Sequence, residues 1–162
     1  MIKQCGHYVT FQEVPNEIAL TFTITNCPHH CQGCHSPWLQ EDIGDALYIE
    51  DIKYYLSQYD GAVTAVCFMG EGSDPETLAQ LLKETKKTGY KVCLYVGEEF
   101  IDDIPVFKYL AKEDWPHYLK TGAYVENNGP LNSETTNQRM LKLTPDNDFY
   151  IDITNWFWKK KI

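Results

Sequence analysis

Residues 62–82 read AVTAVCFMGEGSDPETLAQLL, and this stretch decides the fold class. Its opening run, 62–68, is continuously apolar apart from Thr64, as a strand buried on both faces requires. The chain then turns at Gly70-Glu71-Gly72. Asp74 offers a side-chain oxygen to the first free amides of a helix, and Pro75 suits its first position. Leu78, Leu81, Leu82 and Thr85 recur on one face until Gly89 stops the pattern. A buried strand running straight into an amphipathic helix is half of a βαβ unit; residues 91–96 (KVCLYV), closed by Gly97, supply the next strand.

The same alternation extends outward. Residues 18–25 (IALTFTIT) read as a strand rich in β-branched side chains, bounded by Pro15-Asn16 and Asn26. Residues 7–14 (HYVTFQEV) alternate weakly, as an opening strand or hairpin arm does. Ile49, Ile52, Leu56 and Tyr59 recur at helical spacing and end at Gly61. A weaker helix is expected over 105–112 and a short strand over 117–121 (HYLKT), before Gly122. The stretch 137–153 reads as one or two further strands or as a covering segment. Strands alternating with helices imply an α/β fold with a parallel sheet, and 162 residues fit one domain with a real core. Ligands of such sheets bind beyond the carboxyl ends of the strands. Cys27, Gly70-Glu71-Gly72, Gly97 and Gly122 each follow a strand, so they are expected on one rim.

The balance of 43% hydrophobic and 23% charged residues is ordinary for a globular chain. Fourteen lysines and arginines against 23 acidic residues leave a net charge of −9, which argues against a nucleic-acid groove. The basic run Lys159-Lys160-Lys161 reads as a solvated tail. No apolar stretch approaches the roughly 18 residues of a membrane span. Gln4, His7, Gln12 and Glu13 interrupt any signal-like run, so a cytoplasmic location is expected. Six cysteines in a reducing compartment do not read as three disulfides.

Three of them sit in the loop Cys27-Pro-His-His-Cys31-Gln-Gly-Cys34-His35, a C-x3-C-x2-C spacing within residues 26–36. Three thiolates so close in sequence can wrap one metal centre, and cysteine thiolates are what hold iron–sulfur clusters. In a four-iron cube three cysteines leave one iron open, as a reactive site needs. The alternatives are structural zinc, completed by His29, His30 or His35, and three unligated thiols that merely lie near one another. Cys67 and Cys93 fall inside apolar strands and read as small buried hydrophobes, while Cys5 reads as a free surface thiol.

The C-x3-C-x2-C loop directly after a strand resembles the radical S-adenosylmethionine superfamily. Further segments are similar to the activating proteins of anaerobic ribonucleoside-triphosphate reductases: Cys67-Phe-Met-Gly70-Glu-Gly72, Tyr118-Leu-Lys120-Thr-Gly122-Ala-Tyr124, and Asn137-Gln138-Arg139 after Gly129-Pro130-Leu131. The resemblance covers residues from about 18 to 143. It implies a partial (βα) barrel of parallel strands in a single small domain, 1–162. It also implies one [4Fe–4S] cluster on Cys27, Cys31 and Cys34 whose open iron chelates S-adenosylmethionine. One electron, from a small electron-donor protein, then yields methionine and a 5′-deoxyadenosyl radical. That radical takes a hydrogen from a glycine of the reductase large subunit.

The cofactor carries this chemistry, so no side chain is assigned as general acid or base. The resemblance puts Gly33 and His35 beside the adenine, and Gly70, Glu71 and Gly72 beside the methionyl group. Without a Cβ, Gly70 and Gly72 let backbone approach a ligand; the plain alternative is a strand–helix turn. Glu71 either accepts the methionyl ammonium or faces solvent. Where the family's turn carries two adjacent glycines, this chain has Gly70-Glu71-Gly72, and Gly33 stands where many relatives carry an aromatic residue. His29 and His30 read as loop residues shielding the cluster. Trp156-Phe157-Trp158 is a candidate docking surface for the reductase. Open alternatives are activation of another glycyl-radical enzyme, a small radical enzyme acting on a metabolite, and a non-catalytic iron–sulfur or zinc module.

Overall fold

Eight strands and two α-helices make up the regular structure of the computed structural model, which describes residues 1–31, 33–34, 36–146 and 148–158. In chain order these are β1 (Lys3–Thr10), β2 (Ala19–Ile24), β3 (Asp45–Ala46), α1 (Ile49–Gln58) and β4 (Ala65–Met69). There follow α2 (Pro75–Lys86), β5 (Lys91–Tyr95), β6 (Tyr118–Thr121), β7 (Arg139–Leu143) and β8 (Tyr150–Asp152). The strands form one sheet in the order β3-β1-β2-β4-β5-β6-β7-β8.

The α/β class holds, but the sheet is mixed rather than wholly parallel, and it is open. β2, β4, β5 and β6 are parallel neighbours, whereas β1 and β3 on one side and β7 and β8 on the other run antiparallel. The cause lies in the connections. α1 and α2 provide crossovers before β4 and β5, whereas β1–β2 and β7–β8 are joined by short links without a helix, which bring the chain back antiparallel.

Other boundaries moved for local reasons. The opening strand is Lys3–Thr10, where Thr10 pairs with Ala19, and the chain turns through Asn16 at φ 63°. Over 105–112 a five-residue 3-10 turn, Pro105–Tyr109, replaces the expected helix. So short a segment gains little from helical hydrogen bonds. Burial of Ile104 and Val106 holds it instead. α2 follows its sequence signals closely: Asp74 accepts from Thr77 N at 3.2 Å, and Leu78, Leu81, Leu82 and Thr85 are buried.

Alternation along the strands divides the core. Leu20, Phe22, Ile24, Val66, Phe68, Val92 and Leu94 pack with Ile52 and Leu56 of α1 and Leu78 and Leu82 of α2. Each such side chain contributes about 1.5–3 kcal/mol by burial. A second cluster gathers Ala19, Ala65, Cys67, Cys93, Tyr118 and Met140 with Val14 and Ile153. Trp156 and Phe157, in the turn Thr154–Trp158, pack against that cluster, and Trp158 Nε1 donates to Leu131 O at 2.8 Å. The C-terminal aromatics therefore act as a cover. The basic run 159–161 lies outside the described residues. Among those residues no helix is long and apolar enough to cross a membrane.

Candidate functional site

The parallel strands end on one rim, and there the chain builds a cleft of about 280 Å³. Asn26, at φ 60°, turns the chain out of β2 into the cysteine loop. Two backbone bonds hold the feet of that loop, from Asn26 N to Glu41 O at 3.2 Å and from Cys27 N to Leu39 O at 2.9 Å. Inside it, Cys34 N donates to Cys31 O at 3.2 Å, and Cys34 Sγ accepts from Ser36 N at 3.4 Å. Cys27, Cys31 and Cys34 are free, half-buried thiols on the cleft wall. Burial raises the Cys27 thiol pKa, with the His29 backbone opposing that rise.

The facing wall comes from the ends of β5 and β6 and from the turns that follow β4 and β5. Gly70, Glu71, Gly97 and Lys120 line it, together with Tyr95. Gly70 has φ 124°, and a Cβ there would stand 3.1 Å from Ile24 O, so this turn excludes other residues. Gly72 is buried, facing Ile2 Cδ1 and Ile24. Gly33 is exposed on the loop beside Glu126, and His35 lies outside the described residues.

The electrostatic centre is Glu71, only 7% exposed. Its Oε2 accepts from Gly97 N at 3.1 Å and lies 3.2 Å from His29 Nε2. His29 Nε2 is also 3.4 Å from Glu98 Oε1. Burial and then the neighbouring Glu98 carboxyl push the Glu71 pKa up to about 8, against the pull of Gly97 N–H and Lys120. Lys120 is buried too; its Nζ donates to Gly122 O at 2.9 Å and stands 5.5 Å from the Tyr95 ring centroid. Burial brings its pKa down to about 8, while Cys31, Glu71 and Cys27 hold the charge in place. The cleft is thus bipolar, with two neighbouring carboxyl groups and a buried amine on the same wall.

The structure brings Cys27, Cys31, Cys34, Gly70 and Glu71 to one cavity, and Glu71 is buried there rather than facing solvent. Sequence reasoning missed Lys120, Glu98 and the reach of His29. Lys120 carried a signal, since a charged residue inside a short strand is rarely buried without a task. Glu98, next to Gly97 on the expected rim, carried a weaker one.

The donor set fits a thiolate-held cluster: three thiols on one loop, open to a cleft that also holds a cation. His30 pairs Nδ1 with Gln40 Oε1 at 2.6 Å, and His29 turns Nε2 to the carboxylates, which gives both imidazoles partners other than the sulfurs. The chain matches no family model, no curated protein and no solved structure.

Proposed function

We propose that this chain is a radical S-adenosylmethionine enzyme that generates a glycyl radical on the large subunit of an anaerobic ribonucleoside-triphosphate reductase. One observation carries the reading: the three cysteines of the C-x3-C-x2-C loop share a cleft with the Gly70-Glu71 turn at the carboxyl ends of the parallel strands. In this reading β2, β4, β5 and β6 are the parallel core of a partial (βα) barrel. A reducing cytoplasm and a small electron-donor protein complete the setting.

Cys27, Cys31 and Cys34 would hold a [4Fe–4S] cluster, which when bound supplies an open iron and the electron that cleaves the sulfonium. The protein's own residues bind and orient. A methionyl group carries an ammonium and a carboxylate, and the bipolar cleft offers Glu71 and Glu98 to the first and Lys120 to the second. Burial of Glu71 and Lys120 keeps water from competing for these charges, and charge-assisted bonds there are the strong kind. Gly70 takes a φ of 124° that lets the turn line the cleft without striking Ile24.

Electron paramagnetic resonance on anaerobically reconstituted, dithionite-reduced protein tests the proposal. A [4Fe–4S] signal that changes on adding S-adenosylmethionine and disappears in Cys31→Ala is expected, followed by a glycyl-radical doublet on the reductase large subunit. Absence of any cluster signal, with zinc bound instead, would favour the non-catalytic module. A cluster that cleaves the cofactor but leaves the reductase unchanged would point to another glycyl-radical enzyme or to a metabolite.

A further inference from the structure

We infer that His29, Glu71 and Glu98 form an additional metal site, separate from the cysteines, that takes a divalent transition cation through one imidazole nitrogen and two carboxylates. The three residues come from three rim segments: the loop after β2, the turn after β4 and the turn after β5. Their ligand atoms all lie within 4.8 Å of one another.

The spacing is that of a coordination shell. Bonds of about 2.0–2.1 Å to nitrogen and oxygen place tetrahedral ligands about 3.4 Å apart. The edges from His29 Nε2 to Glu71 Oε2 and to Glu98 Oε1 are 3.2 and 3.4 Å. A collapse of the site around an ion would require little movement.

An unsatisfied atom gives a second and independent indication. Glu98 Oε2 is buried and finds no hydrogen-bond donor among the described residues. Leaving a carboxylate oxygen buried without a partner costs free energy that a bound cation recovers. Glu71, itself buried, keeps a carboxylate oxygen within 4.8 Å of the other two ligand atoms. A metal takes such ligands in their deprotonated forms, and two carboxylates with one imidazole then sum to −2, which a divalent ion cancels.

The surroundings are built for the arrangement. Gly97 N–H fixes the Glu71 carboxylate at 3.1 Å, as outer-shell donors orient metal ligands. The His29 ring occupies the space a Cβ on residue 97 would take. A nitrogen and oxygen set of this kind suits zinc, manganese or iron(II), whereas a softer ion would go to the cysteines. The inference does not rest on the cluster, since none of its donors is a cysteine. It does share Glu71 and Glu98 with the ammonium position proposed above, so a divalent cation and a zwitterionic ligand exclude one another there.

The test is an anaerobic titration of Co2+ into the full-length chain carrying Cys27→Ala, Cys31→Ala and Cys34→Ala. One equivalent should bind, with the intense visible d–d bands of a tetrahedral nitrogen–oxygen site and no thiolate charge-transfer absorption, and Zn2+ should displace it. Adding Glu98→Gln or His29→Ala should weaken binding by at least about tenfold, with near-ultraviolet circular dichroism unchanged. No binding by the folded triple variant, or equal binding after either addition, would overturn the inference. Should the triple variant not fold, Mn2+ added to the unmodified chain replaces it: broadening of the His29 ring resonances supports the site and its absence rejects it. Neither outcome bears on the cluster signal, which depends on the three cysteines.

Discussion

Nε2 of His29 stands 3.2 Å from Oε2 of Glu71, so the loop that carries the cysteines is fastened across the cleft to the turn after β4. The contact exists because residue 97 is glycine: a methyl group there would overlap the His29 ring. Gly97→Ala should therefore expel the imidazole while leaving the sheet paired. The expected cost is about 1–3 kcal/mol, the range for overpacking a tight site. Urea unfolding measures it, and limited proteolysis within residues 27–34 should quicken as the loop loosens. Unchanged stability together with unchanged cleavage would show that the contact does not hold the loop.

Lys120 separates stability from ligand binding. A buried ammonium is costly, and replacing it with an apolar side chain of similar length removes that cost. Lys120→Met removes that cost together with the bond to Gly122 O, so its stability should stay within about 1–2 kcal/mol of the parent. The same change strips the cleft of its buried cation. Loss of a hydrogen bond to a charged group costs about 1.5–3 kcal/mol, so affinity for S-adenosylmethionine should fall at least about tenfold. Equilibrium dialysis of the reconstituted protein reads this directly. Undiminished affinity would remove Lys120 from the binding role.

These two residues also mark the limits of the sequence. The strand at 62–68, the Asp74 cap and the inner face of α2 were legible because each is a local pattern with a local cause. The flanking strands were legible only in part: β7 and β8 fall within 137–153, where one or two strands were expected, whereas β3 is a two-residue bridge with no periodicity and β1 is set by pairing with β2 rather than by its own alternation. The three cysteines announced themselves by spacing alone. Glu98 and Lys120 lie 22 residues apart and join Glu71 only through the parallel pairing of β4 with β5 and of β5 with β6. Such meetings are a property of the sheet, and a single sequence shows at most that a charge sits in an unusual place.

His117 should shape the acid limb of the stability curve. Val92 N–H donates to its Nδ1 at 2.9 Å, a bond that needs the ring's lone pair and hence the neutral imidazole. Burial, then Lys86 and Lys91, bring its pKa down to about 4. Between that value and the usual 6.5 the unfolded chain holds the extra proton. Stability from this group is therefore complete above about pH 6.5 and lost as the pH falls toward 4. Urea unfolding at pH 4.5, 5.5 and 7 should show the decline, and His117→Gln, whose carbonyl can still accept, should flatten it. An equally steep decline in the variant would assign the acid sensitivity to other groups.

The C-terminal aromatics give a prediction on which two roles disagree. As a docking surface, Trp156-Phe157-Trp158 would be dispensable for folding and needed for a partner. Their packing points the other way: Trp156 and Phe157 lie against the cluster of Ala65, Cys67, Cys93 and Met140, and Lys142 Nζ sits 5.5 Å from the Trp156 ring. Removing residues 155–162 would bare that face of the sheet. At about 1.5–3 kcal/mol for a fully buried large side chain, two half-buried aromatics and the lost Trp158 bond together are worth about 2–4 kcal/mol. The truncated chain should unfold at lower urea concentration and bind a hydrophobic dye that the intact chain does not. If it instead keeps its stability and loses only affinity for the reductase, the segment is an interface and its packing in the free chain is incidental.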